Sequence, residues 1–256
     1  MAYTNSSLVS YTKLSPNHSG TRTHSIDRIT PHCVVGQLSA ESICGCFTST
    51  SRQASCNYGI GKDGRISLCV EEKNRSWCSS SAANDQRAVT IECASDAKEP
   101  YAMNSSVYNS LVKLCTDICR RNGKKKLLWL GDKTRTLNYS TKSDEMVLTV
   151  HRWFANKSCP GTWLYSRLSD LASKVTANLG GSSSTSASSS IPYRVRVSIT
   201  DLNIRKGPGT NYARTGKYTG KGVFTIVAES SGTGASKWGK LKSGAGWISL
   251  DYAKKI

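Results

Sequence analysis

A histidine and a cysteine stand eight positions apart in H-R-W-F-A-N-K-S-C-P-G, residues 151–161, with a lysine two before the cysteine. Imidazole and thiolate are both good zinc ligands, and a catalytic zinc usually takes three protein ligands and leaves a fourth position for water. One short stretch supplies two of them, His151 and Cys159. The third has to come from elsewhere, and His32, in D-R-I-T-P-H-C-V-V-G, is the obvious candidate. One Zn2+ held this way lowers the pKa of its water and polarises a carbonyl. Attack of such a water on a carbonyl also needs a base for the water proton and a donor for the oxyanion. Glu92, in T-I-E-C-A, is the candidate base, because a carboxylate in an apolar strand needs a reason to be there. Lys157, two positions before Cys159, places an ammonium in the same segment. Taken alone, His32 could be an ordinary core histidine, Glu92 the partner of an arginine, and Lys157 a surface charge.

The three ligand positions, with Pro-Gly directly after Cys159, resemble the zinc-dependent N-acetylmuramoyl-L-alanine amidases (amidase type 2), which share their fold with peptidoglycan recognition proteins. In that family the first zinc histidine ends the first strand, and the other two ligands lie late in the domain. The resemblance implies cleavage of the amide between N-acetylmuramic acid and L-alanine. It also implies a glutamate base on the central strand, matched by Glu92, and a lysine just before the last ligand that stabilises the oxyanion, matched by Lys157. Other members use a tyrosine from the hairpin strand. Here Cys56 stands at that place and Tyr58 aligns with a packing aromatic, which favours Glu92. Trp77, in R-S-W-C-S-S-S, sits where the family often has Trp-His, with Cys78 replacing that histidine. Trp77 is expected to line the substrate groove. Trp153 suits core packing equally well.

The elements that must position these residues follow from hydrophobic period. Residues 26–36 read as a strand, where Pro31 suits an edge or a bulge. Residues 39–48 read as a short helix. Residues 57–60 and 65–70 flank K-D-G as a hairpin, and A-V-T-I-E-C-A is a central strand. The clearest helical period covers residues 104–122, where Val107, Leu111, Leu114, Cys115 and Ile118 recur at steps of three and four. Lys124–Lys126 and then L-L-W-L lead into another strand, and residues 146–151 extend toward the zinc segment. Leu164, Leu168, Leu171, Val175 and Leu179 line a last helix. Strands alternating with helices give an α/β domain over residues 1–179, a mixed central sheet flanked by helices. Residues 1–25 read as a polar arm.

Residues 180–190, G-G-S-S-S-T-S-A-S-S-S, read as a flexible linker. Beyond it, residues 191–256 alternate polar and apolar in short runs broken by glycine, the pattern of a small all-β barrel. D-L-N-I-R-K-G-P-G-T-N-Y and the late G-W-I-S-L-D-Y resemble bacterial SH3-like domains, which implies a cell-wall-binding module. The chain carries a net charge of +18. Residues 1–181 hold 23 Lys/Arg and 14 Asp/Glu, and residues 191–256 hold 12 and 3, so each part carries +9. The second is the denser field, and it draws in polyanions. The expected partners are peptidoglycan and an anionic Gram-positive wall polymer. Scattered basic residues without a reading motif argue against nucleic acid, and no stretch approaches the ~20 apolar residues of a membrane helix.

The ten cysteines lie between Cys33 and Cys159. They read as small buried residues of a protein made in a reducing cytoplasm, rather than as a disulfide framework. The start of the chain lacks the basic and apolar regions of a signal peptide. Together with a wall-binding module, this resembles a phage endolysin that stays in the host cytoplasm until holin-mediated release. Two rival readings remain at this point: a cell-wall cysteine endopeptidase and a non-catalytic peptidoglycan-binding protein.

Overall fold

Side chains along a strand point alternately to opposite faces of a sheet, and the first part of the chain uses this to set an apolar face against a polar one. The computed structural model describes residues 3–180 and 192–256. The chain divides into two compact units, Met1–Ser183 and Ser184–Ile256. The expected linker, Gly180 apart, lies outside the described residues.

The first unit runs β1 (Val9–Thr12), β2 (His18–Thr21), β3 (Arg28–Cys33), α1 (Ala40–Gly45), β4 (Tyr58–Ile60), β5 (Ile66–Leu68), β6 (Asn74–Ser76), α2 (Ala82–Arg87), β7 (Ala88–Cys93), α3 (Ser105–Arg121), β8 (Lys126–Leu128), α4 (Lys133–Leu137), β9 (Glu145–Leu148), α5 (Gly161–Tyr165) and α6 (Leu168–Asn178). Seven strands form one sheet in the order β1-β5-β4-β7-β3-β9-β8. Only the β4–β5 hairpin around K-D-G is antiparallel within it, so the sheet is mixed. On β3 and β7, Ile29, Cys33, Val89, Ile91 and Cys93 join the apolar core with Leu111, Leu114 and Ile118 of α3 and Leu171 and Val175 of α6. The alternate residues Arg28, Thr30, His32, Thr90 and Glu92 therefore belong to the opposite, polar face.

The long helix α3 begins where the Asn104 side chain accepts from Val107 N at 3.0 Å, satisfying an otherwise orphaned donor. It ends at Asn122 and Gly123, the latter at φ +68. Its five periodic apolar residues are fully buried, each contributing roughly 1.5–3 kcal/mol by removal from water.

Four details differ from the sequence expectation. The polar arm is partly structured: β1 pairs parallel with β5, and β2 pairs with β6. Pro31 lies in an interior strand, in register with Ile91. It costs no ladder bond, because its backbone faces the β9 side, where pairing with β3 already ends at Ile29 and Leu148. The last helix is two, α5 and α6, separated by Ser166 and Arg167. The short helices α2 and α4, started by Ser81 and Asp132 side chains, carry too few turns to give a hydrophobic period.

The second unit contains β10 (Tyr193–Val197), β11 (Asn203–Arg205), β12 (Arg214–Tyr218), β13 (Gly222–Gly232), β14 (Ala235–Leu241), β15 (Trp247–Ser249) and β16 (Ala253–Lys255). Their order is β12-β11-β15-β14-β13-β10-β16, and every pairing is antiparallel. Val195, Val197, Leu202, Ile204, Ile226, Leu241 and Ile248 form its core. The K-G-P-G turn is tight: a Cβ at Gly207 would lie 2.4 Å from the Tyr212 ring. All ten cysteines are free. Among the described residues, no helix is long and apolar enough to cross a membrane.

Candidate active site

The site sits at the C-terminal ends of β3 and β7, where register decides which side chains meet. His32 pairs with Glu92 across the two parallel strands, and its Nδ1 lies 4.0 Å from Glu92 Oε1. His151 and Cys159 arrive from the loop after β9. A single 3-10 turn covers His151–Trp153, and Arg152 N bonds to Cys159 O at 3.2 Å, closing the segment between the two candidate ligands into a compact loop. Pro-Gly follows because Gly161 takes φ +82 and a Cβ there would lie 2.7 Å from Pro100 O. The glycine thus lets the loop seat against residues 100–101.

The donor atoms of His32, His151 and Cys159 all lie within 4.8 Å of one another. Cys159 Sγ is 3.3 Å from His32 Nδ1, and the two imidazole centroids are 5.0 Å apart. A second group, His32, Cys78 and Glu92, meets the same 4.8 Å limit. Burial, then the neighbouring His151, hold His32 well below the ordinary imidazole value. Burial and the Lys157 charge likewise lower His151. Both rings are therefore neutral near pH 7, the form that ligates metal. A hydrogen bond with Cys33, then burial, push the Cys159 thiol well above its usual value. Burial raises Glu92 to about 7, opposed by its bond from Cys78. His32 Nε2 and Glu92 Oε2 are buried with no hydrogen-bond partner among the described residues.

Residues 22–162 match the family model described as N-acetylmuramoyl-L-alanine amidase. The chain belongs to that family. It is an enzyme that hydrolyses the amide between N-acetylmuramic acid and L-alanine in peptidoglycan. Among solved structures it is similar to PlyL, at 14% identity over 64% of this chain and 95% of that one, TM-score 0.47. It is similar to a selenomethionine derivative of AmpD, at 16% identity over 67% and 99%, TM-score 0.48. A third likeness is to the endolysine N-acetylmuramoyl-L-alanine amidase LysCS from Clostridium intestinale URNW, at 14% identity over 68% and 98%, TM-score 0.40. No curated protein matches.

In this amidase the candidate site opens into a groove of about 640 Å³ lined by Trp77, Cys78, Glu92, His151, Lys157 and Cys159, among others. Lys157 is exposed at its rim. Trp77 is half-buried, and its Nε1 donates to Ser19 Oγ at 2.6 Å, so β2 of the supposed arm steadies a groove residue. Tyr58 is remote from this chemistry: it is fully buried and its hydroxyl donates to Glu72 Oε1 at 2.6 Å. Cys56 is equally buried. Trp153 stacks on Trp129, with centroids 5.1 Å apart.

Three contributions escape a reading of the sequence. Ser80 Oγ lies 3.0 Å from His151 Nε2, which leaves Nδ1 as that ring's other donor. The Asp85 carboxylate accepts from Cys78 N at 3.0 Å and Ser79 N at 3.1 Å, fixing the turn that carries Ser80. Cys78 Sγ reaches Glu92 Oε1 at 3.9 Å. A serine run followed by a helix cap was the available signal, but its spacing to His151 exists only in the fold.

Proposed function

We propose that this amidase is a zinc hydrolase of the endolysin type, with His32, His151 and Cys159 as metal ligands, Glu92 as base, Lys157 as oxyanion donor and Trp77 in the substrate groove. The convergence of three donors from two distant segments, with Glu92 in register beside one of them, carries the reading. The donor set suits zinc: zinc–sulfur and zinc–nitrogen bonds of about 2.3 and 2.0 Å at a tetrahedral angle separate two ligands by about 3.5 Å, and Cys159 Sγ and His32 Nδ1 are 3.3 Å apart.

Bound zinc would polarise the scissile carbonyl and lower the pKa of a water. The chain's own residues divide the remaining work. Glu92 takes the water proton at an oxygen beside the ligand cluster and returns it to the leaving amide nitrogen. Cys78 donates to Oε1 of Glu92, which holds that carboxylate beside His32. Lys157, close enough to bias His151, offers its ammonium to the charge growing on the carbonyl oxygen. Ser80 fixes the orientation of the His151 ring. The second unit, with its +9 of charge, is assigned to an anionic Gram-positive wall, and holding the enzyme there raises the effective substrate concentration. Synthesis in a host cytoplasm and release at lysis complete the endolysin reading.

The close contact of Cys159 with His32 would also suit a thiol nucleophile with an imidazole base. A thiol–imidazole pair, however, needs one histidine, whereas His151 brings a second imidazole to within 4.8 Å of both groups, the three-donor set of a catalytic zinc. Digestion of purified cell wall separates the two. New L-alanine amino ends without new reducing sugars, lost on chelation and restored by zinc, are expected. Amino ends on another residue, or activity that survives chelation and fails on alkylation, would overturn the proposal.

A further inference from the structure

Arg28 lies four residues before His32 on β3, on the same polar face of the sheet and about 13 Å away at ~3.3 Å per residue. It is only 6% exposed. A buried cation needs a counter-charge, and the adjacent carboxylate is already taken. Asp27 accepts from Arg87 Nε at 2.9 Å, and its other oxygen accepts from Arg87 Nη2. Arg28 donates from Nη1 to the neutral amide oxygen of Asn84 at 3.3 Å, an oxygen that Thr149 Oγ1 also uses at 3.1 Å. Two arginines share one aspartate, so this cluster holds an uncompensated positive charge. Burial and the Arg87 charge draw the Arg28 guanidinium below its ordinary value, with Asp27 opposing.

That charge borders a space. Arg28 lines a cavity of about 480 Å³ together with Ser80, Ser81, Lys133, Trp153 and Phe154. Among the described residues no carboxylate lines it, and Lys133 adds a second cation. Ser80 and Ser81 also line the catalytic groove, so the two spaces share one wall, the wall that holds His151. The two aromatic rings limit water on one side, which strengthens charge pairing inside.

We propose that this cavity is a substrate subsite for a carboxylate of the peptidoglycan stem peptide, several residues beyond the scissile amide, held by Arg28 and Lys133. The proposal rests on the proposed zinc site, which puts the scissile bond beside His32. An extended peptide advances about 3.3–3.6 Å per residue, so roughly four residues reach from that bond to Arg28. The planar guanidinium suits a carboxylate in two-point contact, while Lys133 supplies a point charge.

The test uses the full chain, zinc-loaded, and two soluble muramoyl peptides that differ only in having stem-peptide carboxylates free or converted to carboxamides. Calorimetric Kd and kcat/KM are measured for each. The free-carboxylate peptide is expected to bind about tenfold tighter. Arg28→Gln should collapse that preference toward one, and the exposed variant Lys133→Ala should cut it about threefold, with the change in KM rather than kcat. Thermal unfolding checks the Arg28 variant, and Lys133→Ala keeps the test decisive should that variant misfold. Equal affinity for the two peptides, or variants that weaken both equally, would overturn the subsite. Should neither peptide be cleaved, the proposed zinc and base assignments fail, and the Kd ratio still decides the subsite.

Discussion

His32 and Glu92 are register partners on adjoining parallel strands, with Nδ1 and Oε1 4.0 Å apart. They do not form a full ion pair: burial holds the imidazole neutral and raises the carboxyl to about 7. Glu92→Gln keeps shape and packing but removes the proton acceptor. It is expected to lower kcat by about 10²–10⁴, the usual share of general base catalysis, while bound zinc and the unfolding temperature stay near those of the parent. Steady-state kinetics beside metal analysis checks this, and a variant with near-parental kcat would remove Glu92 from the mechanism.

The same residue sets a pH dependence. A base works deprotonated, so kcat/KM should rise with pH through the Glu92 pKa. Burial, opposed by the Cys78 bond and the Arg52 charge, raises that value to about 7, and a cation beside His32 favours the carboxylate and lowers it. The acidic limb of the profile is therefore expected below 7 in the zinc-loaded enzyme and absent from the residual activity of Glu92→Gln. A profile that rises on acidification contradicts the assignment.

Removing the metal should cost stability as well as activity. Cys159 and His32 are buried or half-buried and come from segments more than a hundred residues apart, so a shared ion ties the loop after β9 to β3. A ligand present at a hundredfold over its Kd stabilises by about 2.7 kcal/mol. For a domain of this size that corresponds to roughly 5–10 °C in unfolding temperature. Calorimetry with and without chelator measures it, and Cys159→Ala should respond far less to added zinc.

Much of this site was legible because its members sit in short motifs or alternating strands. R-I-T-P-H-C and A-V-T-I-E-C each alternate apolar with polar, so His32 and Glu92 could be assigned to the non-core side of their strands before any pairing was known. The pairing itself, which makes them neighbours, depends on sheet order. The roles of Ser80, Cys78 and Asp85 escaped because they come from a non-repeating turn, held by side-chain bonds to Asp85. The arm was misread for a related reason: H-S-G-T and V-S-Y-T are half-exposed edge segments, too polar to show the pattern of a buried strand. Pro31 argued for an edge, and only the early end of β9 explains its interior place.

Gly161 offers a purely structural check. Its φ of +82 and the 2.7 Å approach to Pro100 O leave no room for a Cβ. Gly161→Ala combines left-handed strain with a clash and is expected to destabilise the first unit by about 1–3 kcal/mol. The shift should appear as a lower unfolding temperature, with activity falling through displacement of Cys159. An unchanged unfolding temperature would show that the loop after Cys159 relaxes freely.

Wall attachment by the second unit should be electrostatic in large part. Residues 191–256 hold 12 Lys/Arg against 3 Asp/Glu, and Val195 and Val197 turn inward while Arg194 and Arg196 stay exposed. Screening lengths fall from about 10 Å at 0.1 M salt to about 3 Å at 1 M, so sedimentation with purified Gram-positive walls should weaken steeply over that range. Cleavage of a soluble muramoyl peptide does not require that attachment, and its rate should change less over the same range. Walls stripped of their anionic polymers should bind less protein at low salt, losing most of the salt dependence. Binding that is indifferent to both salt and stripping would mean that uncharged contacts, with the exposed Tyr212, Tyr218 and Tyr252 as the nearest candidates, do the holding.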